Sequence, residues 1–140
     1  MVCVEDNGTA VTAVYMCEKM QSGEMSALTE KALLQLGEYF GGKRKRFDLP
    51  LELHGTEFQK KVWNALCGIP YGETRSYKEI ARIIGNPKAV RAVGGANNRN
   101  KLMIVVPCHR VIGANGSLTG YASGTDVKKK LLDLEKQGRI

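Results

Sequence analysis

The chain has 140 residues, 43% of them hydrophobic, with 21 Lys and Arg against 14 Asp and Glu for a formal charge of +7. That length suits one globular unit, and no apolar run approaches the roughly 18 residues of a membrane span. Met1-Val2-Cys3-Val4 runs into Glu5-Asp6-Asn7-Gly8 with no basic leader or long apolar core, so a cytoplasmic protein is expected. The positive excess favours an acidic partner such as a phosphate backbone, without identifying one.

The N-terminus reads as a hairpin. Val2-Cys3-Val4 and residues 9–15 are β-prone, and Asn7-Gly8 between them is a tight-turn dipeptide. Residues 21–26 are polar and loop-like. A helix over 28–40 follows, with Ala32, Leu33, Leu36, Tyr39 and Phe40 on one face and Gly41-Gly42 as its stop. Lys43-Arg44-Lys45-Arg46 reads as a solvated basic run, and 47–54 as an extended linker containing Pro50.

Thr56 caps a second predicted helix, whose apolar stripe is Phe58, Val62, Ala65, Leu66 and Ile69, with Trp63 in or near the core. Ser76, with Glu79 three residues on, fits a capping box. Ile80, Ala81, Ile83 and Ile84 give the next helix a short apolar face. Gly85-Asn86-Pro87 makes a turn into a helix over 88–98, completing a helix-turn-helix pattern. Gly94-Gly95 in that last helix costs about 1 kcal/mol per glycine relative to alanine. Such a cost implies close approach to something, either another helix or a duplex.

The apolar run 102–106 reads as a buried strand that ends at Pro107. Cys108-His109-Arg110 follows at once. A thiol beside an imidazole at the end of a rigid element is a place to make and use a thiolate. Asn115-Gly116 is a further turn, 118–124 a glycine-rich loop, and Thr125 or Asp126 caps a last helix that carries Val127, Leu131, Leu132 and Leu134 inward. Lys128-Lys129-Lys130 is expected on its solvent side. The four cysteines, Cys3, Cys17, Cys67 and Cys108, form no CxxC pair, so neither a zinc site nor a disulfide framework is expected.

Pro107-Cys108-His109-Arg110-Val111 strongly resembles the active-site signature of the O6-alkylguanine-DNA alkyltransferases, the methylated-DNA–protein cysteine methyltransferases. The resemblance runs from about residue 55 to residue 135. It takes in Ile69-Pro70-Tyr71-Gly72-Glu73-Thr74, Ser76-Tyr77, Gly85-Asn86-Pro87-Lys88-Ala89-Val90-Arg91-Ala92-Val93-Gly94-Gly95-Ala96 and Gly120-Tyr121, in the right order and spacing. It implies an α+β fold: a reduced β-hairpin and helix subdomain over 1–54, serving as scaffold, and a mostly helical DNA-binding and alkyl-transfer domain over 55–140. In that domain a helix-turn-helix and a short buried strand lead to the active cysteine.

The resemblance also implies roles. Cys108 is the nucleophile, His109 its base and Glu135 the orienter of His109, with Asp133 an alternative. Asn100 supports the active-site turn. Tyr77 helps rotate the nucleotide and donates to guanine. Arg91 fills the vacated stack, and Ala92, Gly94 and Gly95 lie against the minor groove. Val111, Tyr121, Ala122 and Met103 line the alkyl pocket, and the carbonyls of Cys108 and Val111 read the guanine amine. Where the family pattern carries prolines, Lys101 and Met103 stand here. The implied activity is irreversible, one-time transfer from O6-alkylguanine, and from O4-alkylthymine, in double-stranded DNA to Cys108 by a monomer, with no metal or cofactor. Two other readings remain: a DNA-binding sensor of alkylated bases that does not repair them, and a Cys-His hydrolase, for which no oxyanion-hole signature is evident.

Overall fold

A computed structural model of the chain describes residues 2–18, 25–118 and 124–137. Strands β1 (Val2–Asp6) and β2 (Val11–Met16) pair antiparallel, with Cys3 opposite Tyr15 and a register shift at Glu5/Asp6. Between them the Asn7 carboxamide oxygen accepts from the amides of Thr9 and Ala10, and Gly8 takes φ +95°, which glycine adopts without penalty. Cys3 and Cys17 are disulfide-bonded, their Cα atoms 5.9 Å apart, which corrects the expectation that no disulfide forms. The hairpin brings the two cysteines side by side despite their 14-residue separation.

Helix α1 (Ala27–Phe40) starts at Ser26, whose side chain accepts from the Thr29 amide, and ends at Gly41. Asp6 of β1 accepts from the Ser26 and Thr29 hydroxyls, which ties hairpin to helix. Its buried face is Ala32, Gln35, Leu36 and Tyr39, while Phe40 is exposed. The stripe is therefore rotated from the expected one. Gln35 is admitted because it exchanges two hydrogen bonds with the Asp48 backbone.

Helix α2 (Glu57–Cys67) opens with a complete capping box between Thr56 and Gln59. After it come β3 (Arg75–Ser76) and α3 (Tyr77–Ile83), opened by the Ser76–Glu79 capping box. Gly85, at φ +80°, makes the turn to α4 (Val90–Asn98). That helix starts later than expected, at Val90, so Pro87 lies in the turn rather than in the first helical position. α3 and α4 pack against each other, and α2 packs on both. The Trp63 indole N–H donates to the Ala96 carbonyl at 2.9 Å, fastening α2 to α4.

The run 102–106 is buried, as expected, but it is not a strand. Leu102 makes a single bridge to Val14 of β2, and the chain then turns on itself. Val105 N–H donates to Met103 O and Val106 N–H to Leu102 O, so the backbone satisfies itself locally. A 3₁₀ turn, Cys108–Arg110, follows and leads into β4 (Val111–Ile112), which pairs parallel with β3. Helix α5 (Thr125–Gln137) packs on the 3₁₀ turn. Among the described residues no helix is long and apolar enough to cross a membrane.

Candidate active site

Glu135 of α5 is the hub of the site and is fully buried. One carboxylate oxygen, Oε2, lies 2.5 Å from His109 Nε2, 2.5 Å from the Tyr39 hydroxyl and 3.1 Å from Arg110 Nη2. The other, Oε1, accepts from Arg110 Nε at 2.8 Å and from the Gly72 amide at 3.1 Å. Arg110 spends a further donor on the Ile69 carbonyl at 2.7 Å. Burial alone would raise the Glu135 carboxyl; the hydrogen bonds from His109 and Arg110 outweigh it and hold the group at about 2.

An ionised carboxylate only accepts, so His109 carries its proton on Nε2 and its lone pair on Nδ1. Nδ1 is buried and makes no hydrogen bond to a described residue. Burial pushes the imidazole below its ordinary value; the charges of Arg110 and Lys128 push the same way, and Glu135 opposes them. A neutral imidazole with an uncommitted basic nitrogen, one residue from a thiol, has the form of a general base beside its nucleophile. Asp133 is exposed, so Glu135 is the carboxylate that reaches the histidine.

Cys108 itself is 4% exposed. Its carbonyl accepts from Asn97 Nδ2 at 3.3 Å and from the Val111 amide, so it is already engaged before any base arrives. Asn100 donates to Val106 O and accepts from Leu102 N, holding the loop that delivers the cysteine. Tyr77, at the start of α3, is half-buried; burial raises its phenol, with the Cys108 charge adding, so it keeps its proton as a donor. Val111 is buried at the end of the turn. Met103 lines an apolar cavity of about 500 Å³ bounded by β1, β2, α1 and α5. Arg91, Ala92 and Gly95 are exposed on α4, and Gly94 is half-buried, 3.9 Å from the Tyr77 ring measured from an added Cβ. Tyr121 and Ala122 lie outside the described residues.

Lys128 corrects an expectation. It is fully buried rather than on the solvent side of α5, its ammonium 5.8 Å from the Tyr77 ring centroid. Lys128, Leu131 and Glu135 share one face of the helix, three and four residues apart, so the helical phase that carries Glu135 inward carries Lys128 too. Sequence reasoning also gave no role to Arg110 or Asn97 and read Tyr39 only as core. The nearest signals were the invitation of a charged residue inside an apolar run at Arg110 and the phase of α1 at Tyr39.

The fold and site together define a class: a helix-turn-helix domain carrying a buried cysteine backed by a histidine–glutamate pair. The sequence matches the family described as 6-O-methylguanine DNA methyltransferase, DNA binding domain, over residues 57–137. It is 69% identical over 105 residues to a methylated-DNA–protein-cysteine methyltransferase of Methanosarcina acetivorans, covering 75% of this chain and 67% of that one. It is 63% identical over 107 residues to the constitutive enzyme of that name from Bacillus subtilis, covering 76% and 65%. The matched segment thus spans about two-thirds of the length of these relatives. The fold is similar to Mycobacterium tuberculosis OGT in complex with DNA, at a TM-score of 0.90 and 48% identity, covering 98% of this chain and 87% of that one. It is also similar, at a TM-score of 0.52 and 38% identity over 59% of this chain and 79% of that one, to S. pombe Atl1 in complex with damaged DNA containing O6-carboxymethylguanine. The chain belongs to the methylated-DNA–protein-cysteine methyltransferase family.

Proposed function

We propose that this chain repairs alkylated DNA by direct reversal, moving a methyl or larger alkyl group from O6 of guanine, and from O4 of thymine, onto Cys108. The partner is double-stranded DNA, met by a single copy of the chain. The observation that carries the reading is the buried His109–Glu135 pair, with His109 Nδ1 uncommitted on the residue next to Cys108. Nδ1 takes the Cys108 proton, directly or through a water. The thiolate attacks the alkyl carbon from the side opposite O6; a carbon–sulfur bond forms as the carbon–oxygen bond breaks. The electron pair stays with the base, which takes up a proton and is restored as guanine, the gain matching the proton lost by the thiol. The product is a thioether, which does not revert, so each molecule acts once.

A buried sulfur cannot reach a stacked base, so the damaged nucleotide is rotated out of the duplex. Arg91, Ala92 and Gly95 on the exposed side of α4 meet the minor groove, and Arg91 occupies the space the base leaves. Tyr77 supplies its retained phenol proton as a hydrogen bond to the departing base, which stabilises charge building there. Asn100 holds the turn. Val111 bounds the space for the alkyl group, and the family resemblance assigns Tyr121, Ala122 and Met103 to the same pocket.

The test is to mix the protein with a duplex carrying one O6-methylguanine and weigh the intact protein. The expected result is one methyl on Cys108, in one-to-one yield. Unchanged mass with the duplex still bound would replace repair by sensing; repeated turnover would replace it by hydrolysis.

A further inference from the structure

Helix α1 was expected to serve only as scaffold, yet it sends one polar atom into the site. Tyr39 is fully buried, and its hydroxyl lies 2.5 Å from Glu135 Oε2 and 3.5 Å from His109 Nε2. The ring is held by Phe40, Phe47 and Tyr71, with centroids 5.6, 5.6 and 6.0 Å away, so the hydroxyl cannot swing aside without breaking that packing. Apolar packing alone would be served as well by phenylalanine. The hydroxyl's partner is an ionised carboxylate, so the phenol donates. Burial raises the phenol far above its ordinary value, with the Glu135 charge adding, so this donor does not ionise at physiological pH.

We propose that Tyr39 is a positioning residue for alkyl transfer: its hydroxyl fixes Glu135 Oε2, so that His109 keeps its proton on Nε2 and leaves Nδ1 free to accept the proton of Cys108. The proposal rests on the reading in which His109 is the base for Cys108. Glu135 Oε2 divides its accepting capacity among Tyr39, His109 and Arg110. Taking the phenol away concentrates the carboxylate's charge on the imidazole, which makes His109 easier to protonate and removes base from the acid side of neutrality. The groups facing His109 are Glu135 and Lys128 from α5, Arg110 from its own turn, Tyr39 from α1 and, beyond Tyr39, Tyr71 from the loop after α2.

The experiment compares the unaltered protein with Tyr39→Phe, which keeps the ring and deletes the hydroxyl. Alkylation of Cys108 by free O6-benzylguanine and, separately, by iodoacetamide is followed from about pH 5 to 9 by peptide mass, which separates Cys108 from Cys67. Tyr39→Phe is expected to move the acid-side midpoint of both profiles up by about one pH unit, so that the rate falls about two- to fivefold between the two midpoints, approaches a loss of about tenfold below both, and returns at alkaline pH. Superimposable profiles, with or without a lower melting temperature, would overturn the proposal and leave Tyr39 a packing residue. Iodoacetamide recognises no guanine. An unaltered protein inert to alkylguanine but with a shifted iodoacetamide profile in the variant would therefore overturn the repair reading and keep the Tyr39 coupling.

Discussion

Asn100 clasps both ends of the loop that delivers Cys108 through Val106: its Nδ2 donates to the Val106 carbonyl at 2.9 Å, while its Oδ1 accepts from the Leu102 amide at 3.0 Å. Between these anchors Ile104 sits at φ +71°, a left-handed conformation that costs a β-branched residue about 1–3 kcal/mol. Lys101 and Met103 give the loop none of the stiffness of proline, so the clasp and the bonds to Val14 supply it. Asn100→Ala is expected to lower stability by about 1–3 kcal/mol, the range for orphaning part-buried partners, and to slow transfer to Cys108 by more than the unfolded fraction explains. Denaturant midpoints alongside single-turnover rates check it. A destabilised variant with an unchanged rate would mean the clasp holds the fold but not the thiol.

In the proposed reaction Arg91 acts on the duplex and not on the chemistry. It is exposed on α4, on the opposite side of that helix from buried Val93 and Asn97. Arg91→Ala is expected to cut repair of O6-methylguanine in duplex DNA by tenfold or more while leaving the reaction with free O6-benzylguanine within about twofold, because an unstacked base needs no wedge. Parallel rate measurements on the two substrates decide it; equal losses on both would remove the wedge role.

The acid response follows from two buried groups that act in one direction. Glu135 is held at about 2 against an ordinary 4.5, so its contribution to stability is complete above 4.5 and lost as pH falls toward 2. His109 lies below its ordinary 6.5, so under acid the unfolded chain takes up a proton that the fold resists, and stability falls as pH drops below 6.5. Urea midpoints are therefore expected to be flat from about pH 7 to 8 and to decline steadily below about 6.5. His109→Gln, which keeps a donor for Glu135, should abolish the upper part of that decline and keep the lower part. A midpoint in the unaltered protein that does not change between about pH 7 and 5 would contradict the assignment of a neutral buried imidazole.

The parts of this fold written in short-range chemistry were legible. The two capping boxes at Thr56 and Ser76 form as their spacing dictates, and Asn7-Gly8 turns the hairpin. The buried run 102–106 was legible as core but not as a turn, because an apolar stretch has the same composition whether it pairs or folds back, and its one bridge goes to Val14, far away in sequence. Lys128 was hidden inside a run of three lysines; only the phase of α5 relative to Glu135 reveals it. Tyr39 looked like any aromatic on an apolar stripe, since the carboxylate that needs its hydroxyl lies 96 residues on. Of the pairing at the site, the histidine–glutamate contact was foreseen through the family resemblance, and the arginine fork and the phenol were not.

Gly95 separates packing from function. Two adjacent glycines in a nine-residue helix imply close approach, and the structure excludes the protein interior as the second party at Gly95: an added Cβ there meets nothing within 4 Å, and the residue is exposed. Alanine favours helix over glycine by about 0.5–1 kcal/mol. Gly95→Ala is therefore expected to raise the unfolding free energy by about that amount, while weakening binding to duplex DNA and slowing repair in duplex, because in the proposed complex the new methyl stands where the groove backbone comes. Transfer from free O6-benzylguanine should be unchanged, since a Cβ at Gly95 comes within 4 Å of neither the thiol nor its base. Melting curves, duplex affinity at fixed salt and the two transfer rates test all three statements together. A more stable variant with full duplex affinity would place the groove elsewhere on α4, and a less stable one would mean the glycine serves packing after all.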